Sequence, residues 1–279
     1  MRINTNINSM RTQEYMRQNQ DKMNTAMNRL SSGKSINSAA DDAAGLAIAT
    51  RMRAKEGGLN VGARNTQDAM SALRTGDAAL GSISNILLRM RDLATQAASG
   101  TNNVKDSASL NKEYQQLAKE IDHIAEKTNF NGNSFLNQAG GGTDIKIQLS
   151  DAANDTLDIT AINAKADTLL GAAVGTLTGA DTAAAVTAAT TEMGKIDTAI
   201  QAVADARATF GSQLNRLDHN LNNVTSQATN MASAASQIED ADMAKEMSEM
   251  TKFKILNEAG ISMLSQANQT PQMVSKLLQ

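Results

Sequence analysis

The chain has 279 residues, of which 41% are hydrophobic and only 2% aromatic, and it contains no Trp and no Cys. Its 26 basic and 29 acidic residues give a net charge of −3, which offers no reason to expect nucleic acid or an anionic membrane surface as a partner. The lack of Cys excludes disulfides and thiolate metal sites, and no apolar run approaches the ~18 residues of a membrane-spanning helix. We therefore expect no membrane insertion. The one proline, Pro271, leaves nearly the whole chain free to form helices.

The N-terminal segment, residues 1–42, shows a weak helical pattern that a glycine ends. Its apolar positions are Ile3, Ile7, Met10, Met16, Met23, Met27 and Leu30. Gly33 follows them and predicts a helix stop. The Ser-x-x-Asp spacing of Ser38 and Asp41 resembles a capping box and predicts the start of a second helix.

The second helix opens the region 43–163 and ends at Gly100. Two adjacent glycines, Gly57 and Gly58, lie inside it and lower its stability by about 2 kcal/mol relative to alanine. We expect local bending at this pair and no domain boundary.

A third helix and a β-hairpin complete the region 43–163. The helix is predicted by apolar residues at alternating spacings of 4 and 3, namely Leu110, Tyr114, Leu117, Ile121 and Ile124. Turn-forming residues at 129–133 and 140–142 then break the pattern. Beyond them the apolar period changes to two at 145–149 and again at 157–161. These two runs, joined by a loop at 151–155, predict a β-hairpin.

The segment 164–192 is rich in Ala, Thr and Gly and has little pattern. It is interpreted as a short variable segment, either a small surface decoration or a flexible link. From 193 to 238 the pattern is the strongest in the chain, with 14 positions at alternating spacings of 3 and 4 that are all apolar except Arg207. The mean spacing of ~3.5 residues keeps one side of a helix facing a partner helix, so this part predicts one long helix of roughly 70 Å.

The long helix is expected to pack on the second helix through leucine-rich stretches of both. The residues of this expected contact are Leu214, Leu217 and Leu221 against Leu80, Ile83 and Leu87.

The C-terminal segment, residues 239–279, carries a further helical stripe. The residues of this segment that we predict to serve assembly are Leu256, Met263, Val274, Leu277 and Leu278. Because helices stand at both ends of the chain and strands in its middle, the two terminal stripes are natural partners. The predicted fold class is mainly α: a long antiparallel helical coiled-coil or bundle rod with a small β-hairpin region. Its terminal helices are expected to pair and to become ordered on assembly, since a helix with one apolar stripe is marginal alone.

The sequence shows no constellation of catalytic or metal-binding residues. Residues 31–35 contain Ser-x-x-Lys and Gly-Lys-Ser spacings, but the companion motifs of serine acyl-transferring enzymes are missing. A phosphate-binding loop would need glycine where Asn28 stands. His123 and His219 are isolated, and Asp240 and Asp242 suit helix capping better than acid–base chemistry. We therefore predict a protein that is not an enzyme and that uses no cofactor and no metal.

Several longer segments resemble bacterial flagellin, the subunit of the flagellar filament. They are residues 30–49 (LSSGKSINSAADDAAGLAIA), 129–132 (NFNG), 236–242 (SQIEDAD) and 259–269 (AGISMLSQANQ). The likeness covers about 1–163 and 190–279, with mild departures at Asp92, Gln237 and Lys254. It implies terminal helices paired as a coiled coil inside a tubular filament, and a next domain of three long helices with a β-hairpin. The short middle implies a minimal form with almost no outer domain.

The resemblance also implies a function, a location and partners. The chain is expected to self-assemble into the helical filament that drives swimming, outside the cell after export through the flagellar channel. The expected partners are further copies of the chain, an export chaperone, the filament cap and hook–filament junction proteins. The resemblance further implies contact with a host Toll-like receptor at Arg89 and Leu93, with Glu113 on the following helix. Arg89 and Leu93 are four residues apart, so we expect them to share an accessible face.

Three other classes of protein compete with the filament subunit. A hook–filament junction protein shares the terminal features and the export route, but the segments 236–242 and 259–269 favour the filament subunit. Another secreted coiled-coil protein of a related export system is expected to carry an apolar membrane-inserting stretch, which this sequence lacks. An enzyme would need a catalytic constellation.

Overall fold

The computed structural model describes residues 6–137, 144–171 and 174–277, and this part of the chain is mainly α-helical. Its helices are α1 (Ile7–Ser32), α2 (Ala43–Ala97), α3 (Val104–Lys127), α4 (Ala166–Leu169), α5 (Thr182–Glu239) and α6 (Met243–Leu277). Its strands are β1 (Asn129–Phe130), β2 (Asn133–Ser134), β3 (Ile145–Gln148) and β4 (Thr156–Ile159). The chain divides into two compact units: Met1–Glu56 with Thr229–Gln279, here called the terminal unit, and Gly57–Ala228, here called the central unit.

Local side chains and one glycine set the ends of α1 and the start of α2. Gly33 has the left-handed φ of 73° and its N–H donates to the carbonyl of Arg29, which confirms the predicted helix stop. The predicted capping box is wrong, because α2 is capped by Asp42, whose Oδ1 accepts from the N–H groups of the second and third following residues. Asp41 instead turns back and accepts from the N–H groups of Asn37 and Ser38, which closes the loop before the helix.

The glycine pair does not interrupt α2, which runs through Gly57 and Gly58. The division between the two compact units nevertheless falls between Glu56 and Gly57, where we expected no boundary. The reason is that the extent of a unit depends on the long-range partners of each stretch, and helix propensity does not report these.

In the central unit α3 and the predicted hairpin form as expected. Asn103 and Asp106 make a reciprocal capping box at the start of α3. The fully buried side chains of this helix include Tyr114 and Ile121. Strands β3 and β4 are antiparallel, with Ile147 opposite Leu157, which confirms the hairpin.

A second, very short hairpin lies where the sequence indicated only a turn. Strands β1 and β2 pair around Asn131 and Gly132, whose φ values are 51° and 85°. Positive φ at both central residues is the geometry of the type I′ turn, for which Asn-Gly is a preferred pair. The Asn131-Gly132 pair in the sequence could therefore have predicted this hairpin.

The segment 164–192 is not a flexible link in its described parts, 164–171 and 174–192. Ala166, Leu170 and Leu177 are buried in the hydrophobic core. Helix α5 also begins at Thr182, eleven residues before the predicted start. Its early turns continue the alternating spacing of 4 and 3 through buried Ala185, Ala189 and Glu192. Because two alanines and a glutamate do not form a strongly apolar stripe, the sequence pattern did not predict these first turns of the helix.

Helices α2 and α5 run antiparallel in the central unit, but in a different register from the expected one. Thr66 contacts Asn220, Asp77 binds Arg207, and Arg91 binds Asp197. This register places Leu217 level with Ala69, which is eleven residues before Leu80, the nearest residue of the predicted partner stretch. Leu80 instead lines a small cavity with Val203 and Ala206. A shift of eleven residues is close to three helical turns and keeps the same sides facing, so the stripe alone could not distinguish the two registers.

The long stripe itself is confirmed. Of its 14 positions only Arg207 is exposed, and it pairs with Asp77 at 2.8 Å. The core of the central unit has few aromatic members, Tyr114, Phe135 and Phe210 among them, and Ala, Leu and Ile fill the rest.

Candidate assembly surfaces

Helices α1 and α6 lie antiparallel in the terminal unit. The side chain of Asn6 donates to the carbonyl of Ala267, and Asn257 donates to Gln20. A Cβ added at Gly260 would lie 2.8 Å from Cγ of Met16, so the glycine permits close approach of the helices. These contacts confirm the predicted pairing of the two terminal stripes within the described residues.

The α1–α6 pair is thinly packed. Among the described residues α1 has one buried side chain, Ala26. Phe253 and Leu264 of α6 are only half-buried. Because helices in proteins are stabilised mainly by packing an apolar face, this pair has little stabilisation of its own.

Exposed apolar side chains are concentrated in the terminal unit. Eleven of the fourteen exposed large hydrophobic residues in the described part of the chain belong to it: Ile7, Met10, Tyr15, Met27, Ile48, Met243, Met247, Ile255, Leu256, Ile261 and Met263. A groove of about 440 Å³ lies between the two helices and is lined by Met23, Met27, Met250 and Ile261, among others. Exposed apolar patches are typical of association sites, so these side chains are candidates for contact with another molecule.

The predicted assembly residues of α6 are exposed where the structure describes their side chains. Leu256 is 41% exposed and Met263 is 64% exposed, so both are accessible to another molecule. Val274 and Leu277 belong to α6, but their side chains lie outside the described part of the structure, as does the whole of Leu278.

A buried carboxylate that the sequence did not reveal connects three segments of the terminal unit. Glu239, at the end of α5, forms ion pairs with Lys34 and with Nε of Arg53, the latter at 2.6 Å. Its backbone carbonyl accepts from the N–H groups of Ser35 and Ile36. Hydrogen bonds from Lys34 and Arg53 hold the pKa of Glu239 below its usual value. The sequence shows two adjacent acidic residues, Glu239 and Asp240, directly after the apolar stripe, but nothing in it indicated their partners.

The three residues predicted for receptor contact do not share one face. Arg89 and Glu113 are exposed and form an ion pair at 2.8 Å. Leu93 is only 1% exposed and belongs to the hydrophobic core. The accessible face expected for Arg89 and Leu93 is therefore wrong: the buried side of α2 is wide enough to take in Met90, Leu93 and Ala94 together.

The residues that were considered for catalysis or metal binding either make structural contacts or are exposed. Residues 31–35 form the end of α1 and the following loop, and Lys34 forms an ion pair with Glu239. Asp242 accepts from two N–H groups at the start of α6, as the capping interpretation predicted. His123 and His219 are exposed, and no group of three His, Cys, Asp or Glu side chains within the described ranges lies close enough to hold a metal ion.

One buried polar cluster stabilises the central unit. The hydroxyl of Tyr114 donates to Glu192 at 3.0 Å, and Lys195 donates to the other carboxylate oxygen at 2.7 Å. Burial, together with the charge of Glu192, raises the pKa of Tyr114 above its usual value. A tyrosine held neutral in this way fastens α3 to α5.

No helix in the described part of the chain is both long enough and apolar enough to cross a membrane.

Two family models match the chain: the bacterial flagellin N-terminal helical region over residues 3–141 and the bacterial flagellin C-terminal helical region over 193–278. A flagellin of Listeria monocytogenes is 45% identical over 285 aligned positions that cover 100% of this chain and 99% of the relative. A flagellin of Bacillus subtilis is 38% identical, with 100% of both chains covered.

A solved structure agrees with these matches. The crystal structure of Bacillus cereus flagellin is 65% identical and superposes with a TM-score of 0.50, covering 62% of this chain and 94% of the other. Two family models that match most of the chain, and relatives aligned over its whole length, identify the protein as a member of the bacterial flagellin family.

Proposed function

We propose that this chain, which is a structural subunit of the bacterial flagellar filament, polymerises through the exposed apolar side chains of its α1–α6 pair. The observation that supports this most directly is the concentration of exposed large apolar residues in the terminal unit. Fully burying one such side chain contributes about 1.5–3 kcal/mol. A subunit whose neighbours contact different parts of its surface makes heterologous contacts, and these give an open helical polymer when they do not close.

We further propose that the terminal helices become ordered as the subunit joins the filament. α1 has only Ala26 buried among its described residues, so the pair contributes little free energy of folding alone. A neighbouring subunit supplies the missing apolar contacts, and folding of the ends is then coupled to polymerisation.

The experiment compares seeded growth of full-length Leu256→Ser with that of Ala259→Ser, a matched exposed position on α6. Loss of about 1–2 kcal/mol per subunit contact raises the critical concentration for filament growth about 5–30-fold in Leu256→Ser. Ala259→Ser should grow like the unchanged protein. Equal growth of all three proteins from seeds would contradict assembly through this surface.

The other partners and the export route are proposed from family membership. An export chaperone would cover the apolar residues of the terminal unit before secretion through the flagellar channel, and the filament cap and the hook–filament junction proteins would contact subunits at the filament ends. We propose no catalytic role, because the flagellin family is a family of structural proteins.

A host Toll-like receptor is proposed to contact Arg89 and Glu113 on the monomer, because both side chains are exposed and adjacent. Leu93 does not contribute directly, since it is buried. Receptor signalling by monomeric Arg89→Ala should fall, while Arg74→Ala, an exposed arginine elsewhere on α2, should signal normally. Undiminished signalling by Arg89→Ala would remove Arg89 from the contact.

A further inference from the structure

Methionines are concentrated in the terminal unit. The chain has 15 methionines, and the central unit holds only three of them, Met70, Met90 and Met193. The exposed methionines of the described part of the chain all lie on α1 and α6 and are 49% to 64% exposed: Met10, Met27, Met243, Met247 and Met263. The side chains with which this unit offers its apolar surface are therefore in large part thioethers.

A thioether differs from other apolar groups because it can be oxidised. The chain has no Cys and no Trp, so its methionines are the side chains that a hydroperoxide oxidises most readily. A lone pair of Sδ attacks one oxygen of hydrogen peroxide, the O–O bond breaks, an S–O bond forms and water leaves. Sulfur gives up two electrons and the peroxide oxygens take them up. The product is a sulfoxide, which is polar where the thioether was apolar.

Burial determines which methionines react first. Met90 lies fully buried in the hydrophobic core, and Met70 and Met193 are half-buried against it. The five exposed methionines of α1 and α6 have no such cover. Because susceptibility to oxidation follows exposure, the oxidant modifies the terminal unit before it reaches the core of the central unit.

We infer that the five exposed methionines of α1 and α6 are a redox-sensitive switch of assembly. Oxidation of a free subunit by a hydroperoxide keeps it out of the filament, and enzymatic reduction of the sulfoxides restores its assembly. This inference rests on the proposed function, because these side chains are among the apolar residues that a neighbouring subunit buries. A sulfoxide oxygen is a hydrogen-bond acceptor that loses its water when it is buried, so oxidation weakens each contact that the side chain makes.

The first test maps which sulfoxides prevent assembly of the full-length, unsubstituted protein. Monomers are treated with dilute hydrogen peroxide until a small part of each methionine is oxidised, the peroxide is removed, and filaments are grown from seeds. Mass spectrometry then compares the sulfoxide fraction at each methionine in the filaments and in the monomers left behind. Sulfoxides at the five exposed positions should be at least about fivefold rarer in the filaments. Sulfoxides at Met70 and Met193 serve as internal references, and depletion at the five positions no greater than at these two overturns the inference.

The second test measures reversal. Extensive oxidation of the monomers should raise the critical concentration for seeded growth about tenfold or more. Treatment with the two methionine sulfoxide reductases, one for each sulfoxide epimer, should return it to within about twofold of the untreated value. Growth that stays impaired after mass spectrometry shows reduced methionines would assign the damage to other groups and overturn the switch.

A variant that cannot be oxidised at these positions supplies the matched comparison. Leucine has a similar volume and no sulfur, so it keeps the apolar surface. The variant is Met10→Leu/Met27→Leu/Met243→Leu/Met247→Leu/Met263→Leu, and the control in the central unit is Met70→Leu/Met193→Leu. After the same peroxide treatment the critical concentration should rise less in the first variant than in the unchanged protein, and equally in the control. An equal rise in all three proteins overturns the inference, and if the first variant fails to grow before oxidation the sulfoxide map gives the answer.

These outcomes are separate from the test of assembly itself. Sulfoxides distributed evenly between filaments and monomers, together with impaired growth of Leu256→Ser, would remove the switch and keep the proposed assembly surface. Normal growth of Leu256→Ser would contradict the proposed function whatever the distribution of the sulfoxides.

Discussion

The central unit buries most of its large apolar side chains, whereas the terminal unit exposes many of its own. The hydrophobic cluster lies wholly in the central unit, from Ala69 to Leu217. The buried hydrophobic residues of the terminal unit, in its described part, are Ala26, Ile36, Ala49 and Ala235, and only Ile36 is larger than alanine. The terminal unit instead exposes eleven large apolar side chains, against three in the central unit. The central unit therefore has a hydrophobic core of its own, whereas the terminal unit leaves most of its large apolar side chains exposed.

The largest expected effect comes from shortening the terminal unit. Deleting residues 265–279 should abolish seeded filament growth, because α6 loses its end and α1 loses part of its partner. The central unit should remain folded, since none of its residues is removed.

Tyrosine fluorescence can show whether the central unit stays folded when the deletion abolishes filament growth. The chain has two tyrosines and no Trp. Tyr15 is exposed in the terminal unit and Tyr114 is buried in the central unit, so Tyr15→Phe leaves Tyr114 as the reporter of the central core. Filament growth by the shortened protein would contradict the role of the terminal unit in assembly. Loss of the unfolding transition reported by Tyr114 would contradict the independent folding of the central unit.

The next effect concerns the core of the central unit. Leu217 is fully buried, and Leu217→Ala should lower the free energy of unfolding by about 2–5 kcal/mol because it removes packing and leaves a cavity. Urea denaturation of monomeric protein measures this loss. Asn222→Ala, an exposed change on the same helix, should have little effect, and similar losses in both variants would mean that Leu217 is not a core residue.

A smaller, pH-dependent effect is expected at Glu239. Its pKa in the folded chain is lowered from the usual 4.5, so its ion pairs contribute stability above about pH 4.5. That stability is lost as the pH falls through the lowered pKa. Lys34 and Arg53 are 40% and 48% exposed, so solvent screens the pairs and the contribution is about 1 kcal/mol.

Hydrogen exchange of assembled filaments measures this effect at the amides of Ser35 and Ile36, which donate to the carbonyl of Glu239. The protection factor, which is the intrinsic exchange rate at each pH divided by the observed rate, should fall on acidification in the unchanged protein. Glu239→Gln should exchange faster already at neutral pH and respond less to acid, and the exposed control Glu258→Gln should behave like the unchanged protein. An identical acid response in Glu239→Gln would assign the titration to other groups.

The smallest effect is expected at the one exposed position of the long stripe. Arg207→Leu removes an exposed ion pair with Asp77 and adds an apolar side chain at the edge of the seam. The two contributions oppose each other, so the free energy of unfolding should change by less than about 1 kcal/mol. A loss of unfolding free energy as large as that of Leu217→Ala would show that the Arg207 side chain contributes to the packing of the core.

Much of the fold could be predicted because it depends on local chemistry. Gly33 ends α1 since a glycine readily adopts positive φ, and the alternation in 145–149 and 157–161 pairs as the hairpin of β3 and β4. The start of α5 could not be predicted, because small residues such as Ala185 and Ala189 form its buried side and carry no strong hydrophobic signal.

The candidate sites were less predictable, because they depend on which side of a helix meets a partner. Leu256 and Met263, which were predicted to serve assembly, are exposed, and their role in assembly stays a prediction. Leu93 was not, since residues three and four positions along a helix can both face a wide core. The ion pairs of Lys34 with Glu239 and of Arg29 with Glu246 join residues about two hundred positions apart, and no local pattern indicates such pairs.

The sequence by itself determined the helices, the hairpin, the antiparallel return of the chain and the likeness to flagellins, since periodicity, turn residues and long motifs are properties of neighbouring residues. The tertiary structure alone decided the register of α2 against α5 and the side of α6 that faces α1. Both are choices among packings that the same repeating stripe allows. It also decided which charged side chains are buried together, because the free energy of those contacts arises only when distant segments meet.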